Sequence, residues 1–132
     1  MNPKEFNTKR NNIESFKDLD IKTINNIKSQ KTTTKQVICI LKTIYDPELS
    51  VNIFDLGLIY SIDIEQDKKQ VNIDMTLTSA VCPMADFILQ EIKTQVVKYI
   101  KEIKSVKIKL VWEPKWQRSM ISEEGKFIMG LD

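Results

Sequence analysis

Histidine is absent from this chain, and its absence excludes much of the commonest catalytic and metal-binding chemistry. The 132 residues include no histidine, so neither a histidine-containing catalytic pair nor a histidine-ligated zinc site can form within the chain. Glycine occurs only three times, and no glycine-rich loop of the kind that binds phosphate groups is present. The only thiols belong to two cysteines, Cys39 and Cys82, whose spacing is not that of a CxxC redox or metal motif.

Long hydrophobic runs and a strong charge of one sign are also missing. No run approaches the roughly 18 apolar residues of a membrane span, and the polar N-terminus does not resemble a signal peptide. We therefore expect a cytoplasmic protein with no membrane partner. The net charge is +2, divided as +3 in residues 1–31 and −1 in the remainder. Because the remainder is not basic, we expect no nucleic-acid partner.

The composition indicates one folded domain preceded by a tail. Residues 1–31 are rich in lysine and asparagine, and we interpret them as a polar, solvated N-terminal extension, with a docking helix over residues 12–29 as the alternative. Residues 32–132 are interpreted as a single domain. About 100 residues can bury roughly two-thirds of their unfolded surface, so no disulfide is required.

Hydrophobic periodicity within residues 32–132 predicts an α+β fold. Thr33 and Gln36 resemble a capping box that begins a helix, and Pro47 ends that helix. Cys39 lies inside the helix and is assigned to packing. Alternation then predicts two antiparallel strands, a second long helix, a third strand and a short C-terminal helix that starts near Ser122. The predicted architecture is a compact α-β-β-α-β sandwich with the helices on one face of the sheet, over residues 33–45, 60–65, 70–78, 83–103 and 106–112.

The segment around Cys82 is the first candidate for chemistry. Pro83 suits the first position of a helix, which places Cys82 at the helix N-cap. The unpaired N–H groups of a first helical turn favour a thiolate there, and a thiolate is both a nucleophile and a soft metal ligand. The hydroxyls of Thr78 and Ser79 precede it closely. The alternative is that Cys82 is a small buried residue that caps the helix.

The second candidate is the turn at residues 46–49. A proline holds the carboxylates of Asp46 and Glu48 in a rigid turn, and such carboxylates can act as hard metal ligands or proton acceptors. The alternative is an ordinary turn with two solvated acids.

Four segments, taken in order, resemble one known family. They are residues 45–48 (Tyr-Asp-Pro-Glu), 55–60 (Asp-Leu-Gly-Leu-Ile-Tyr), 75–85, which contains Cys-Pro-Met-Ala, and 111–116, which contains two tryptophans. The chain from about residue 34 to its end resembles the domain family of SufT, of PaaD-type proteins and of the eukaryotic cytosolic iron–sulfur assembly homologues. Two positions depart from the family pattern: Lys115 replaces a proline and Gly125 replaces an alanine.

The resemblance implies the fold of the iron–sulfur-cluster-assembly domain and a non-enzymatic role. The protein would be an accessory or targeting factor in iron–sulfur cluster assembly, with the assembly machinery and client apo-proteins as partners. A homodimer could bring two cysteines together. The cofactor would be a transient iron–sulfur cluster or iron, or none, with Cys82 as the metal ligand. The family's site positions fall on Asp46, Glu48, Leu49, Thr78, Ser79 and Cys82.

Three alternatives remain open at this stage. The domain could be an interaction module without metal, in which Trp112 and Trp116 contact the partner. It could instead serve one specific metalloenzyme, as PaaD-type relatives do. A thiol enzyme with Asp46 or Glu48 as its base is disfavoured, because a carboxylate with a pKa of about 4 is a weak base for a thiol.

Overall fold

The structure is a computed structural model that describes residues 18–46, 49–78 and 85–130. These residues confirm the predicted α+β class and the order of its elements, with one further helix at the N-terminal side. None of the described helices is both long and apolar enough to cross a lipid bilayer. The elements are α1 (Ile21–Ser29), α2 (Thr33–Leu41), β1 (Ile59–Glu65), β2 (Gln70–Met75), α3 (Ala85–Tyr99), β3 (Ser105–Leu110), a 3-10 turn (Arg118–Met120) and α4 (Glu123–Ile128).

The sheet has three strands in the order β1-β2-β3. β1 and β2 are antiparallel, as the alternation and the polar turn between them predicted. β3 is parallel to β2, which requires the crossover that α3 provides. Val71, Ile73 and Met75 of β2 are fully buried, whereas Asn72 and Asp74 lie on the other face and are only half-buried. This alternation leaves one polar face and one face that packs on the helices.

The core lies between that sheet face and helices α2 and α3. Each helix contributes an apolar stripe at the spacing expected for a helix buried on one side. β2 ends at Met75, earlier than predicted, next to a register shift of its pairing with β1 between Ile59 and Ser61. The N–H of Thr76 donates to the carbonyl of Leu58 at 2.8 Å. The buried helix residues are Val37, Ile40 and Leu41 of α2 and Ile88, Ile92 and Val96 of α3.

The predicted capping box of α2 is wrong by one residue. Thr32, not Thr33, is the N-cap, and its side chain accepts a hydrogen bond from the N–H of Lys35 at 3.2 Å. Gln36 therefore lies one position beyond the third helical residue and cannot complete a capping box.

α2 also ends earlier than predicted, at Leu41. The carbonyl of Ile40 accepts from both the hydroxyl of Thr43 at 2.6 Å and its N–H at 2.9 Å. Tyr45, the last residue of the predicted helix, instead pairs with Asn52 in an isolated β-bridge and is 57% exposed.

The prediction of a solvated extension is wrong for residues 21–29, which form α1 and pack against α2. Asp20 caps α1 by accepting from the N–H of Thr23 at 2.8 Å, and Ile27 is only 1% exposed. The N–H of Leu19 donates to the Tyr99 hydroxyl at 3.0 Å, which ties the segment before α1 to α3. Sparse isoleucines can therefore dock a helix when a few of them face the core. The division of the chain at residue 31 stays a prediction.

Cys39 packs as predicted. It is half-buried in α2 against the core, and its sulfur lies 3.7 Å from the side-chain nitrogen of Asn26 in α1. Burial raises the pKa of the Cys39 thiol, and the positive charge of Lys42 offsets part of that increase. The thiol is therefore favoured in its neutral form.

The partial burial of Glu91 on α3 leads to a pH-dependent prediction. Burial raises the pKa of this carboxyl above its ordinary value of 4.5. Because the folded-state pKa is raised, the stabilising contribution is complete below the unfolded-state pKa and is lost as the pH rises through the folded-state pKa. We expect Glu91→Gln to increase the free energy of unfolding at neutral pH by less than about 1 kcal/mol, and to change it little near pH 4.

Urea unfolding followed by circular dichroism at the two pH values measures this effect. Glu102→Gln, which changes an exposed carboxylate beyond the end of α3, is the control. An equal gain for Glu91→Gln at both pH values would contradict the explanation by burial.

Candidate functional site

Asp46 lies in a tight turn in which its carboxylate has a structural partner. The side chain accepts a hydrogen bond from the N–H of Leu49 at 3.1 Å, and its carbonyl accepts from Ser50 at 3.2 Å. Asp46 is 7% exposed, so the alternative of a solvated acid is wrong for this residue. Aspartate commonly stabilises turns in this way because its short side chain reaches the backbone two or three residues later. Leu49, the second predicted site residue here, is half-buried and packs against the core.

The loop that carries Asp46 is connected directly to the end of β2. The loop continues to Leu58, whose carbonyl accepts the hydrogen bond from Thr76. Thr78, two residues later, is half-buried and is the last described residue before the segment 79–84. The hydrogen bond between Thr76 and Leu58 joins the end of the loop that follows Asp46 to the stretch ending at Thr78.

Three predicted site residues, Glu48, Ser79 and Cys82, lie outside the described residues. The predicted N-cap position of Cys82 and the start of α3 at Pro83 fall there too. The convergence of these side chains with Asp46 and Thr78 stays a prediction.

Thr78 opens onto a cleft that the sequence did not predict. The cleft has a volume of about 260 Å³ and lies between the residues after β2 and the segment after β3. Both tryptophans line it, and Trp112 is 45% exposed, which is unusual for so large an apolar side chain. The lining residues are Thr76, Leu77, Thr78, Trp112, Glu113, Lys115 and Trp116.

The wall that carries the tryptophans is fixed by hydrogen bonds to the motif at residues 55–60. The indole N–H of Trp116 donates to the carbonyl of Leu56 at 2.7 Å. The Tyr60 hydroxyl donates to the carbonyl of Pro114 at 2.7 Å. Lys115, the first departure from the family pattern, is exposed at the cleft, so the turn accommodates it without loss of these contacts.

Asp55 connects the same motif to α4 through a buried network that sequence reasoning missed. Its carboxylate accepts from the Asn52 side chain at 2.7 Å and from the Ser122 hydroxyl at 2.8 Å. Its carbonyl also accepts from the N–H of Ser122 at 2.7 Å. The sequence feature that could have predicted this network is an acid between Phe54 and Leu56 in an apolar stretch, since a buried carboxylate needs hydrogen-bond partners.

Two glycines allow the C-terminal segment to approach this motif closely. A Cβ on Gly57 would lie 2.3 Å from the carbonyl oxygen of Met120. A Cβ on Gly125, the second departure from the family pattern, would lie 2.9 Å from Ile121 and 3.3 Å from the carbonyl of Asp55. Because both glycines lack a Cβ, α4 and the cleft wall can pack closely against the domain at these two positions.

The described residues do not by themselves form a metal site. Within residues 18–46, 49–78 and 85–130, no three cysteine, aspartate or glutamate side chains converge as metal ligands would. A ligand set for iron or a cluster would therefore need residues outside these ranges, or groups from another molecule.

Comparison with protein families and curated proteins identifies close relatives. Residues 34–110 match the model of a family described as iron-sulfur cluster assembly protein. The chain is 44% identical over 99 residues to the Fe-S protein maturation auxiliary factor of Porphyromonas gingivalis, covering 75% of this chain and 92% of that protein. It is 39% identical over 88 residues to the Fe-S protein maturation auxiliary factor SufT of Staphylococcus aureus, covering 67% of this chain and 98% of that protein.

Solved structures support the fold independently. The crystal structure of a domain of unknown function, DUF59, from Bacillus anthracis matches with a TM-score of 0.69 at 30% identity, over 80% of this chain and 98% of that one. A conserved hypothetical protein of Thermotoga maritima matches with a TM-score of 0.62 at 33% identity, over 78% of this chain and 99% of that one. With the motifs, the fold and the relatives in agreement, the chain belongs to the iron–sulfur cluster assembly protein family that includes SufT.

Proposed function

We propose that this protein is an accessory or targeting factor in the maturation of iron–sulfur proteins, acting between the assembly machinery and client apo-proteins. The observation that carries the proposal is the extent of the match to its relatives. Proteins named Fe-S protein maturation auxiliary factor align over 92% to 98% of their own length. The likeness therefore covers nearly the whole relative rather than a shared fragment.

In this proposal Cys82 is the functional group, and Asp46, Glu48, Leu49, Thr78 and Ser79 surround it. A thiol at the start of a helix is favoured as a thiolate, because the first-turn N–H groups carry partial positive charge. The hydrogen bond between Leu58 and Thr76 supports the grouping, since it joins the loop that follows Asp46 to the strand end that precedes Cys82 in the chain.

The cysteine count favours an adaptor over a stable cluster carrier. Iron–sulfur clusters usually take four thiolates or a mixed set, whereas this chain has two cysteines. Cys39 is half-buried against α1 with a raised thiol pKa, which disfavours the thiolate that a cluster needs. A cluster at Cys82 would be cargo, completed by thiols of a partner or of a second copy. We therefore propose transient contact with clients as the principal mode of action.

Anaerobic reconstitution with iron and sulfide tests this mode directly. The wild type, Cys82→Ser and the control Cys39→Ser would be compared by absorption spectra and iron counts, with circular dichroism to verify each fold. The adaptor proposal expects no stoichiometric cluster on any of the three proteins alone. Cluster absorption in the wild type and Cys39→Ser that is lost in Cys82→Ser would contradict it and identify a cluster carrier.

The aromatic cleft favours a second candidate, an interaction module without metal. Trp112 is exposed next to Thr78 in a preformed cleft, and aromatic side chains of this kind anchor many interfaces. A Cys82→Ser protein that kept both client binding and cellular function would favour this candidate over the first.

A further inference from the structure

A groove of about 420 Å³ lies between α1 and the C-terminal end of α3. One wall of the groove is α1, which precedes residue 34, where the family match begins. We propose that this groove binds an acidic, amphipathic segment of a partner protein. The groove is lined by Ile24, Ile27, Lys28, Gln36, Lys98, Tyr99, Ile100, Lys101 and Glu102.

The bottom of the groove is apolar and extends outwards along α1. Ile27 and Ile100 are each 1% exposed, which closes the bottom against the core. Ile24 is half-buried, and Ile21, one turn earlier on α1, is 72% exposed. Residues 21, 24 and 28 share a helix face because they are three and four positions apart. An apolar strip of Ile21 and Ile24 therefore runs along this face of α1, and Lys28 follows on the same face.

Three lysines outnumber the one acidic lining residue, Glu102, at the rim. Lys28 contributes from α1, and Lys98 and Lys101 contribute from α3 and its end. The chain itself already places one carboxylate here, since Asp18 forms an ion pair of 2.5 Å with Lys98. Neither Lys28 nor Lys101 has an ion-pair partner within the described ranges 18–46, 49–78 and 85–130. An acidic segment would extend the pairing that Asp18 begins.

Charge and shape argue against two other occupants of the groove, the N-terminal residues 1–17 and a nucleic acid. Residues 1–17 contain four Lys/Arg and two Asp/Glu, so their charge matches that of the groove instead of complementing it. A nucleic-acid backbone would gain nothing from the isoleucines of the groove. An amphipathic peptide uses both parts, because its apolar side chains fit the strip and its carboxylates reach the rim. The proposal does not involve Cys82 and goes beyond the maturation role.

A designed peptide tests the proposal with the full chain. The probe has leucines at helical spacing and glutamates elsewhere, and a second peptide carries lysine in place of each glutamate. Binding is followed by backbone amide shifts in NMR spectra. We expect the glutamate peptide to shift the amides of α1 and the end of α3, and the lysine peptide to leave them unchanged. Lys28→Glu/Lys101→Glu should weaken binding by at least about tenfold, and Ile21→Ser should also weaken it.

The control variant Lys107→Glu/Lys109→Glu makes the same charge change on exposed positions of β3. It should alter the affinity by no more than about twofold. An equal loss in this control would identify general charge attraction and overturn the proposal. The absence of any shift in the groove would do the same. Tighter binding of polyuridine RNA or of phosphatidylglycerol vesicles, with the same dependence on Lys28 and Lys101, would assign the groove to a different class of partner.

Discussion

Replacing Gly57 by alanine should lower the free energy of unfolding by roughly 3 kcal/mol or more, the sum of a backbone penalty and a steric one. Gly57 has a φ of +82°, a conformation that L-residues with a side chain rarely adopt. The new Cβ would also lie 2.3 Å from the carbonyl oxygen of Met120. Because that oxygen belongs to the backbone, no side-chain rotation can relieve the contact, and the segment of Met120 must move.

Gly130 provides a matched control for this prediction. Its φ is +78°, but an added Cβ would meet no described atom within 4 Å. Gly130→Ala should therefore cost only the left-handed backbone penalty, about 1 kcal/mol. Urea unfolding measured by circular dichroism gives both values, and their difference isolates the close approach to Met120. An equal cost for the two variants would mean that the contact with Met120 contributes nothing.

The position of Gly57 explains how the motif at residues 55–60 can matter to the cleft. Gly57 lies between Asp55, which holds α4 through Ser122, and Tyr60, which holds the carbonyl of Pro114. The segment held in this way carries Trp112 and Trp116 to the cleft at Thr78. Residues 55–60 therefore act on the candidate site through packing rather than through chemistry of their own.

Local patterns explain which parts of the fold were predictable. The alternation in β2 and the helical spacing in α3 are properties of consecutive residues, and each was sufficient to identify its element. The N-terminal helix was only the alternative to a solvated extension, because its few isoleucines stand among lysines and asparagines, and only Ile27 of this helix is fully buried. Whether such a sparse pattern docks depends on partners far along the chain, such as Tyr99, whose hydroxyl accepts from Leu19.

The candidate site also has features that local sequence predicts and features that depend on long-range contacts. Asp46 was identified from its own turn, and the structure gives it a turn partner, Leu49, within three residues. The cleft could not be predicted, because the parallel pairing of β2 with β3 brings residues 76–78 next to residues 112–116. The contact of Asp55 with Ser122 depends on a similar long-range approach. Sequence motifs thus located these residues, whereas only the fold explained what each one contacts.

Cells that carry Cys82→Ser in place of the wild type should lose iron–sulfur enzyme activity to near the level of cells that lack this protein. The expectation rests on the proposed function and on the difference between sulfur and oxygen. A serine hydroxyl stays protonated where a thiol ionises, and it is a poor ligand for soft metals. The measurement compares an iron–sulfur enzyme with a metal-free enzyme in the same extract, after the amount of the variant protein has been equalised.

Serine at position 82 gives a stringent test of the thiol because we expect this substitution to preserve the fold. If Cys82 is the helix N-cap, serine is a better cap than cysteine, since its oxygen accepts from the first-turn N–H groups. A loss of activity would then belong to the missing thiol and not to unfolding. Cys39→Ser, which alters the packed thiol of α2, should leave the iron–sulfur enzyme active wherever the protein remains folded. Full activity in the Cys82→Ser cells would remove the thiol from the mechanism and leave the aromatic cleft as the feature through which the domain meets its clients.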